Sequence, residues 1–280
     1  MGRLRYGTSS WSEKAWVGPF YPPGTRPADF LTHYATQFDT VEADVTYYRV
    51  PDTRLAAGWA RKVPPGFRLA AKFPRSVVHC GAGPHPDGER VLVPEFVNAD
   101  RDAFLAGMAL LGERCGPLVL QFPYFNRRAF PAGGVFLERL DAFLGGLPPD
   151  FRYAVEVRNE RWIGPPLLEV LRRHRAALVL VALPYMPHPE RLARSLDLFT
   201  TDFNYVRLIG DRKATEAAAE RFDRVVLDKR AELLRWAEFL RPAVARAAET
   251  FAYANNHFAG YGPGTIRELA EMVRGGPREA

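Results

Sequence analysis

The sequence predicts an α/β protein, a single-domain (β/α)8 barrel of the TIM type with a long loop after its third strand. Three observations carry this. Eight short apolar runs rich in β-branched residues are spread along nearly the whole chain, helix-length segments separate most of them, and each run stops at polar or charged residues that an ordinary core would not place there. At 280 residues the chain is close to the roughly 250 that such a barrel uses, so one domain over 1–280 suffices.

In chain order, the first strand is expected over 4–8 and the first helix over 28–37. A strand at 38–44 precedes a helix at 53–62, which Asp52 or Thr53 can cap. The third strand, 67–72, leads into a connection from 74 to 98 that carries His79, Cys80, His85 and Asp87 among several Gly and Pro residues. Loops that long inside a compact domain are usually lids or binding loops. His85 lies in a Gly-Pro-His-Pro-Asp-Gly stretch and reads as exposed turn chemistry. A helix at 99–113, a strand at 117–121, a helix at 136–144 and a strand at 152–158 follow. The helix at 166–174 ends in Arg172, Arg173, His174 and Arg175, cations that complement a helix C-terminus. Strands at 177–181 and 204–208 come next, then a helix over 227–248 with an apolar stripe of Leu233, Leu234, Trp236, Ala237 and Leu240, which Pro242 is expected to kink or divide. The last strand, 250–255, and a helix at 266–274 close the pattern, leaving 274–280 as an expected frayed tail.

Side chains alternate along a strand, so the polar residues can be sorted by face. Glu42 and Asp44 share a face opposite Val41 and Ala43; Glu156 and Arg158 share one opposite Val155 and Val157. Lys72, Gln121, Arg207 and Asn255 end the third, fourth, seventh and eighth runs. A barrel strand is apolar on both faces through its middle, so charges are expected only near an end where water or a ligand reaches them. All of these lie at C-terminal ends, the rim where barrel enzymes build their sites. Interior ion pairs can also be structural, so each single charge is open to either reading. Three carboxylates, three cations and two amides meeting at one rim point to a functional pocket.

Composition excludes several classes. Hydrophobic content of 47% and charged content of 25% are those of a globular protein, and no apolar stretch approaches the roughly 18 residues of a membrane span. The N-terminus enters the first strand without a signal-peptide pattern, and Cys80 and Cys115 lack close metal-ligand spacing, so a reduced, cytoplasmic setting is expected. A net charge of +6 favours anionic partners, with a small anionic molecule expected first. No nucleic-acid-binding motif is present, so nucleic acid stays open as a substrate rather than expected as a regulatory target. The sequence does not set the oligomeric state.

The chain resembles the YecE-like family, also called domain of unknown function 72, over almost its full length. The matching stretches are Gly7-Thr8-Ser9-Ser10-Trp11, Trp16, Phe20-Tyr21-Pro22, Tyr34-Ala35, the run from Thr40 to Pro51 that includes Tyr48 and Arg49, Trp59, Lys72 and His79. They continue with Gly116 to Pro123, Ala154 to Arg158, Trp162, Tyr205 to Gly210, Asn255-Asn256-His257, Gly260 and Pro263. The resemblance implies a TIM-type barrel and no established reaction. Three positions depart from the family pattern: Asp44 replaces the usual Asn, Ile209 a usual His and Ser10 a usual Gly. A mechanism needing the strand-seven His is thereby disfavoured, and a cation near Glu42 and Asp44 favoured.

The expected function is an enzyme acting on a small anionic substrate, phosphate-, sugar- or nucleotide-like, by carboxylate acid/base chemistry at the rim. Glu42, Asp44, Lys72, Glu156 and Arg158 are the catalytic candidates. Trp11, Tyr48, Arg49, His79, Gln121, Arg207, Asn255, Asn256 and His257 are the candidates for substrate binding. Alternatives are a divalent-metal hydrolase or isomerase with Glu42, Asp44, Glu156, His79 and His257 as ligands, a Schiff base at Lys72, or a barrel that binds a ligand or nucleic acid without turnover. Neighbouring carboxylates would raise the Lys72 amine pKa, against the Schiff base. A phosphate site at the loops after strands seven and eight would use Gly210, Gly262 and Gly264, glycines that also serve plain turns. Of the rim aromatics Trp11, Trp16, Tyr47, Tyr48 and Trp162, Trp16 and Trp162 are expected to plug the mouth and Trp11 and Tyr48 fit either stacking or plugging, while Trp236 belongs to the core.

Overall fold

The eight apolar runs pair into one parallel sheet, as fully buried strands joined by helical crossovers must. In the computed structural model, which describes residues 2–275, the strands are β1 (Arg3–Thr8), β2 (Thr40–Ala43), β3 (Arg68–Lys72), β4 (Cys115–Gln121), β5 (Tyr153–Glu156), β6 (Ala177–Ala182), β7 (Phe203–Leu208) and β8 (Glu249–Ala254). The helices are α1 (Phe30–Gln37), α2 (Thr53–Lys62), α3 (Arg75–Val78), α4 (Pro94–Ala109), α5 (Gly133–Gly145), α6 (Pro165–Arg173), α7 (Pro189–Ala193), α8 (Arg212–Ala218), α9 (Arg230–Arg246), α10 (Asn256–Ala259) and α11 (Gly262–Arg274). Strand order is β1-β8-β7-β6-β5-β4-β3-β2, and the ring closes where β1 returns to β2.

That closure is a seam rather than a ladder. β1 and β2 share one parallel bridge, Ser9 to Glu42, and the Ser10 N–H donates to the Glu42 carbonyl at 2.9 Å. Gly7 packs on the Thr40 carbonyl so closely that a Cβ would collide with it. The Tyr34 hydroxyl, carried by α1, accepts from the Thr8 N–H at 2.7 Å and faces the Thr40 carbonyl at 3.4 Å. A side chain thus satisfies backbone groups that no strand partner reaches.

Two apolar shells follow from the alternation. Val41, Leu69, Leu118, Leu120, Val155 and Val157 face the helices, whereas Ala70, Val119, Ala154, Ala177, Val179, Phe203, Tyr205, Phe251 and Tyr253 fill the barrel. At the N-terminal end the interior is closed by ions: Arg5 donates to Glu249 at 2.5 Å and reaches Asp39 at 3.2 Å, and Arg152 donates to Glu249 at 2.5 Å. The opposite end carries the charges the sequence assigned to the rim.

Several boundaries differ from expectation. α4 begins at Pro94, five residues before the expected 99, because proline is compatible with a helix's first turn, and Gly112 at φ +52 lies beyond its early end. Pro263 likewise sits in the first turn of α11, which starts at Gly262 rather than 266. Pro242 does not divide α9; Leu233, Trp236, Ala237, Leu240, Ala243 and Val244 are buried on both sides of it, so packing holds the helix through it. Leu234, expected in that stripe, is exposed. α3, α7, α8 and α10 are too short to show a period and were not expected. Arg274 ends α11 and Gly275 caps it at φ +77, so these two continue the fold; the rest of the expected frayed tail lies outside the described residues.

Candidate functional site at the barrel mouth

Inward-facing positions at the ends of five strands place Glu42, Lys72, Gln121, Glu156 and Arg207 in one group, with register setting Gln121 beside Glu156. Arg207 is the hub. Its Nε and Nη2 donate to Glu42 Oε1 at 3.2 and 2.8 Å, its Nη1 to Gln121 Oε1 at 2.7 Å, and Nη1 also binds Glu156 Oε2. The Tyr205 hydroxyl donates to the other Glu42 oxygen at 2.7 Å. Arg158 Nε takes the second Glu156 oxygen at 2.8 Å. Lys72 Nζ lies 3.6 Å from Glu42 and is bonded to Asp44.

Asp44 and Arg158 lie past the strand ends. β2 stops at Ala43 because Thr46 folds the next turn onto β3: its Oγ1 sits 2.9 Å from both the Ala43 carbonyl and the Lys72 N–H. The turn swings Asp44 over Lys72.

The group is graded in depth. Side-chain exposure is 0% for Glu42 and Glu156, 1% for Arg207, 6% for Lys72, 22% for Arg158 and 31% for Asp44. The sequence expected water or a ligand to reach all of these charges, but four of them, Glu42, Glu156, Arg207 and Lys72, are enclosed, and their counter-ions make that tolerable. Burial opposes ionisation of Glu42, yet Arg207 and Lys72, with hydrogen bonds from Arg207 and Tyr205, outweigh it and bring its pKa to about 2. Glu156 is lowered in the same way, burial being overcome by Arg207 and Arg158. Burial and the Glu42 carboxylate push the Tyr205 hydroxyl well up, so it stays a proton donor.

The remaining candidates are placed as follows. Asn255 caps α10, its Oδ1 accepting from His257 N at 3.0 Å and lying 2.7 Å from His257 Nδ1. His257 also meets Glu216 at 3.5 Å; burial and Arg212 hold its pKa below the usual imidazole value. Asn256 accepts from the Gly262 N–H at 2.9 Å. His79 is buried in its own loop, accepting from the Gly81 N–H at 3.2 Å beside Arg75, and burial and Arg75 lower its pKa. Gly210 has φ +80 and packs on the backbone of His257 and Phe258, Gly262 packs on Asn256, and Gly264 on Tyr261, so each has a packing duty. Trp11 sits edge-on to Trp59 at 5.6 Å, and Tyr48 and Arg49 are exposed. Trp16 and Trp236 are core, and Trp162 stacks on Phe136 at 4.8 Å.

Among the described residues, no three His, Cys, Asp or Glu side chains gather as metal ligands. An ion at Glu42 or Glu156 would have to displace Arg207. Both cysteines are free, with burial pushing the Cys80 thiol up to about 11 and Cys115 to about 12. No helix among the described residues is long and apolar enough to cross a membrane.

Sequence reasoning missed Tyr205. Tyr205 lies two residues before Arg207 and so shares its face; that parity was available, but a tyrosine in an apolar run reads as core. Tyr47 stands half-buried near Arg75, Arg158 and Asp44.

A closed ring of eight parallel strands with polar side chains gathered at the C-terminal mouth defines a TIM-type barrel. The family profile described as "Protein of unknown function DUF72" matches residues 5–279, and the chain belongs to that family. It is 32% identical over 157 residues to the UPF0759 protein YecE of Escherichia coli K12, covering 56% of this chain and 48% of that protein. It is 25% identical over 167 residues to UPF0759 protein YunF of Bacillus subtilis, covering 58% and 53%. The matches thus span about half the length of these curated relatives. The crystal structure of a DUF72 family protein from Thermotoga maritima superposes with a TM-score of 0.73 at 28% identity, covering 97% of this chain and 99% of that one. One from Enterococcus faecalis, at 20% identity and TM-score 0.68 over 97% and 95%, shares the fold.

Proposed function

We propose that the protein is an enzyme that binds a small anionic substrate at the barrel mouth and transfers a proton to or from it. Lys72 and Arg158 hold the anion, and Asp44 is the acid or base. The observation that carries this reading is the exposure gradient: Asp44 and Arg158 meet solvent, with Lys72 directly beneath Asp44, while both carboxylates of Glu42 and Glu156 have every oxygen engaged around the buried Arg207. Glu42 and Glu156 are then positioning residues. Glu42 steers Lys72, and Glu156 grips Arg158 by Nε and leaves its two terminal nitrogens without a protein acceptor among the described residues. A cation pair at the end of a closed barrel, flanked by low-dielectric walls, is suited to an anion.

The test is a titration with inorganic phosphate together with a consumption assay over phosphorylated and carboxylated metabolites. Lys72→Met and Arg158→Met should weaken anion binding at least about tenfold. Asp44→Asn should leave binding in place and lower turnover about 10²- to 10⁴-fold. Unchanged turnover in Asp44→Asn would overturn the catalytic assignment.

A second reading, ligand binding without turnover, is favoured by the low pKa values of Glu42 and Glu156, neither of which is poised to exchange protons near pH 7. It predicts saturable anion binding with no metabolite consumed.

A further inference from the structure

We infer that a second pocket beside the mouth holds a planar aromatic ring of the anionic substrate, an inference that rests on the mouth being an anion site. A cavity of about 510 Å³ opens between the loop after β4 and the loop after β5, with Tyr185 beyond β6 completing its wall. That volume falls in the range of small-molecule pockets. Arg158 lines the cavity and is bonded to Glu156 at 2.8 Å, so the pocket and the mouth network share a residue.

The wall is built before any ligand arrives. The Asn159 side chain clasps the Phe125 backbone, accepting its N–H at 2.9 Å and donating to its carbonyl at 2.8 Å, which ties the two loops together. Trp162 stacks on Phe136 at 4.8 Å and 28° and on Phe125 at 5.8 Å and 20°, a rigid aromatic floor. Against it stand two tyrosines left open to solvent, Tyr124 at 59% and Tyr185 at 54% exposure. Aromatic faces held on a fixed scaffold offer a planar ring large contact area with little loss of side-chain freedom.

Charge selects the ring's substituent. Arg127 and Arg161 line the cavity and, among the described residues, donate no side-chain hydrogen bond; the terminal nitrogens of Arg158 are likewise without an acceptor. Glu160, the acidic residue of the lining, is bonded to Arg191. The pocket is therefore aromatic and net cationic, which fits a ring carrying a phosphate or carboxylate and disfavours a neutral or cationic one.

The experiment compares inorganic phosphate with phenyl phosphate, probes that differ by the ring, by isothermal titration of the wild-type protein and of a Tyr124→Ala, Tyr185→Ala double variant. Phenyl phosphate should bind the wild type at least about fivefold tighter than inorganic phosphate. In the double variant that advantage should vanish while inorganic phosphate binds as before. Equal affinity of the two probes for the wild type, or an advantage that survives in the double variant, overturns the aromatic pocket and leaves the anion site at the mouth standing. Absence of binding by either probe overturns both.

Discussion

Arg207 of β7 grips a single oxygen of Glu42 of β2 with two nitrogens, Nε at 3.2 Å and Nη2 at 2.8 Å, across β8 and β1 and 165 residues apart in the chain. Its third nitrogen, Nη1, binds Glu156 and Gln121, so one guanidinium neutralises two enclosed carboxylates. Removing one partner of a buried pair leaves the other charge uncompensated. Arg207→Met should therefore lower stability by about 3–5 kcal/mol, read from urea unfolding. Adding Glu42→Gln and Glu156→Gln to that variant should recover much of the loss; no recovery would mean that packing around Arg207, not its charge, is what matters.

Acid should dismantle the same network. Glu42 titrates near 2 in the folded protein against an ordinary 4.5, so its ionised form favours the native state. That contribution, roughly 3 kcal/mol, is fully present above pH 4.5 and is lost as pH falls from 4.5 toward 2. Glu156 acts in the same direction. Urea midpoints measured from pH 7 down to 2.5 should fall steeply below 4.5, and Glu42→Gln should flatten that fall.

Ser10 stands at φ +105, a conformation that costs a residue with a Cβ, at the point where β1 meets β2. Ser10→Gly removes that strain and keeps the backbone bond to Glu42. Stability should rise by about 1 kcal/mol, less a fraction for the added freedom of the unfolded chain. A thermal midpoint that drops would show that the Ser10 to Ser12 hydroxyl contact, 3.0 Å long, matters more than the strain.

Gly7 makes the opposite case at the same seam. Its Cβ would strike the Thr40 carbonyl and the Tyr34 hydroxyl, both held by the strand and helix behind them. Gly7→Ala should destabilise by about 1–3 kcal/mol and speed hydrogen exchange at the Thr8 and Ser10 amides, which bridge the seam. Unaltered exchange there would refute this account of how the ring closes.

Strand alternation paired Glu42 with Asp44 and Glu156 with Arg158, and position at the strand ends added Lys72, Gln121, Arg207 and Asn255, because a period of two in a parallel barrel leaves a side chain only the interior or the helix layer. It could not rank them by depth. Whether a carboxylate at a strand end meets water depends on the turn that follows, and the turn carrying Asp44 over Lys72 is fixed by Thr46 bonding to a different strand. The same limit applies to the triplet Asn255, Asn256 and His257: position at the end of β8 was legible, but not that a short helix begins at once with Asn255 as its cap, nor that Asn256 accepts from Gly262 at the start of α11.

The sequence by itself determined the eight-fold repeat, the polar strand ends at the C-terminal mouth and the family to which the chain is similar, because these rest on spacing and alternation, which are properties of neighbours along the chain. Only the tertiary structure decided which charges are enclosed and which face outward, that Tyr205 joins Glu42, and that Arg158 links the mouth to an aromatic pocket. These depend on distances between residues far apart in sequence, set by how the ring closes and how each loop folds back over it.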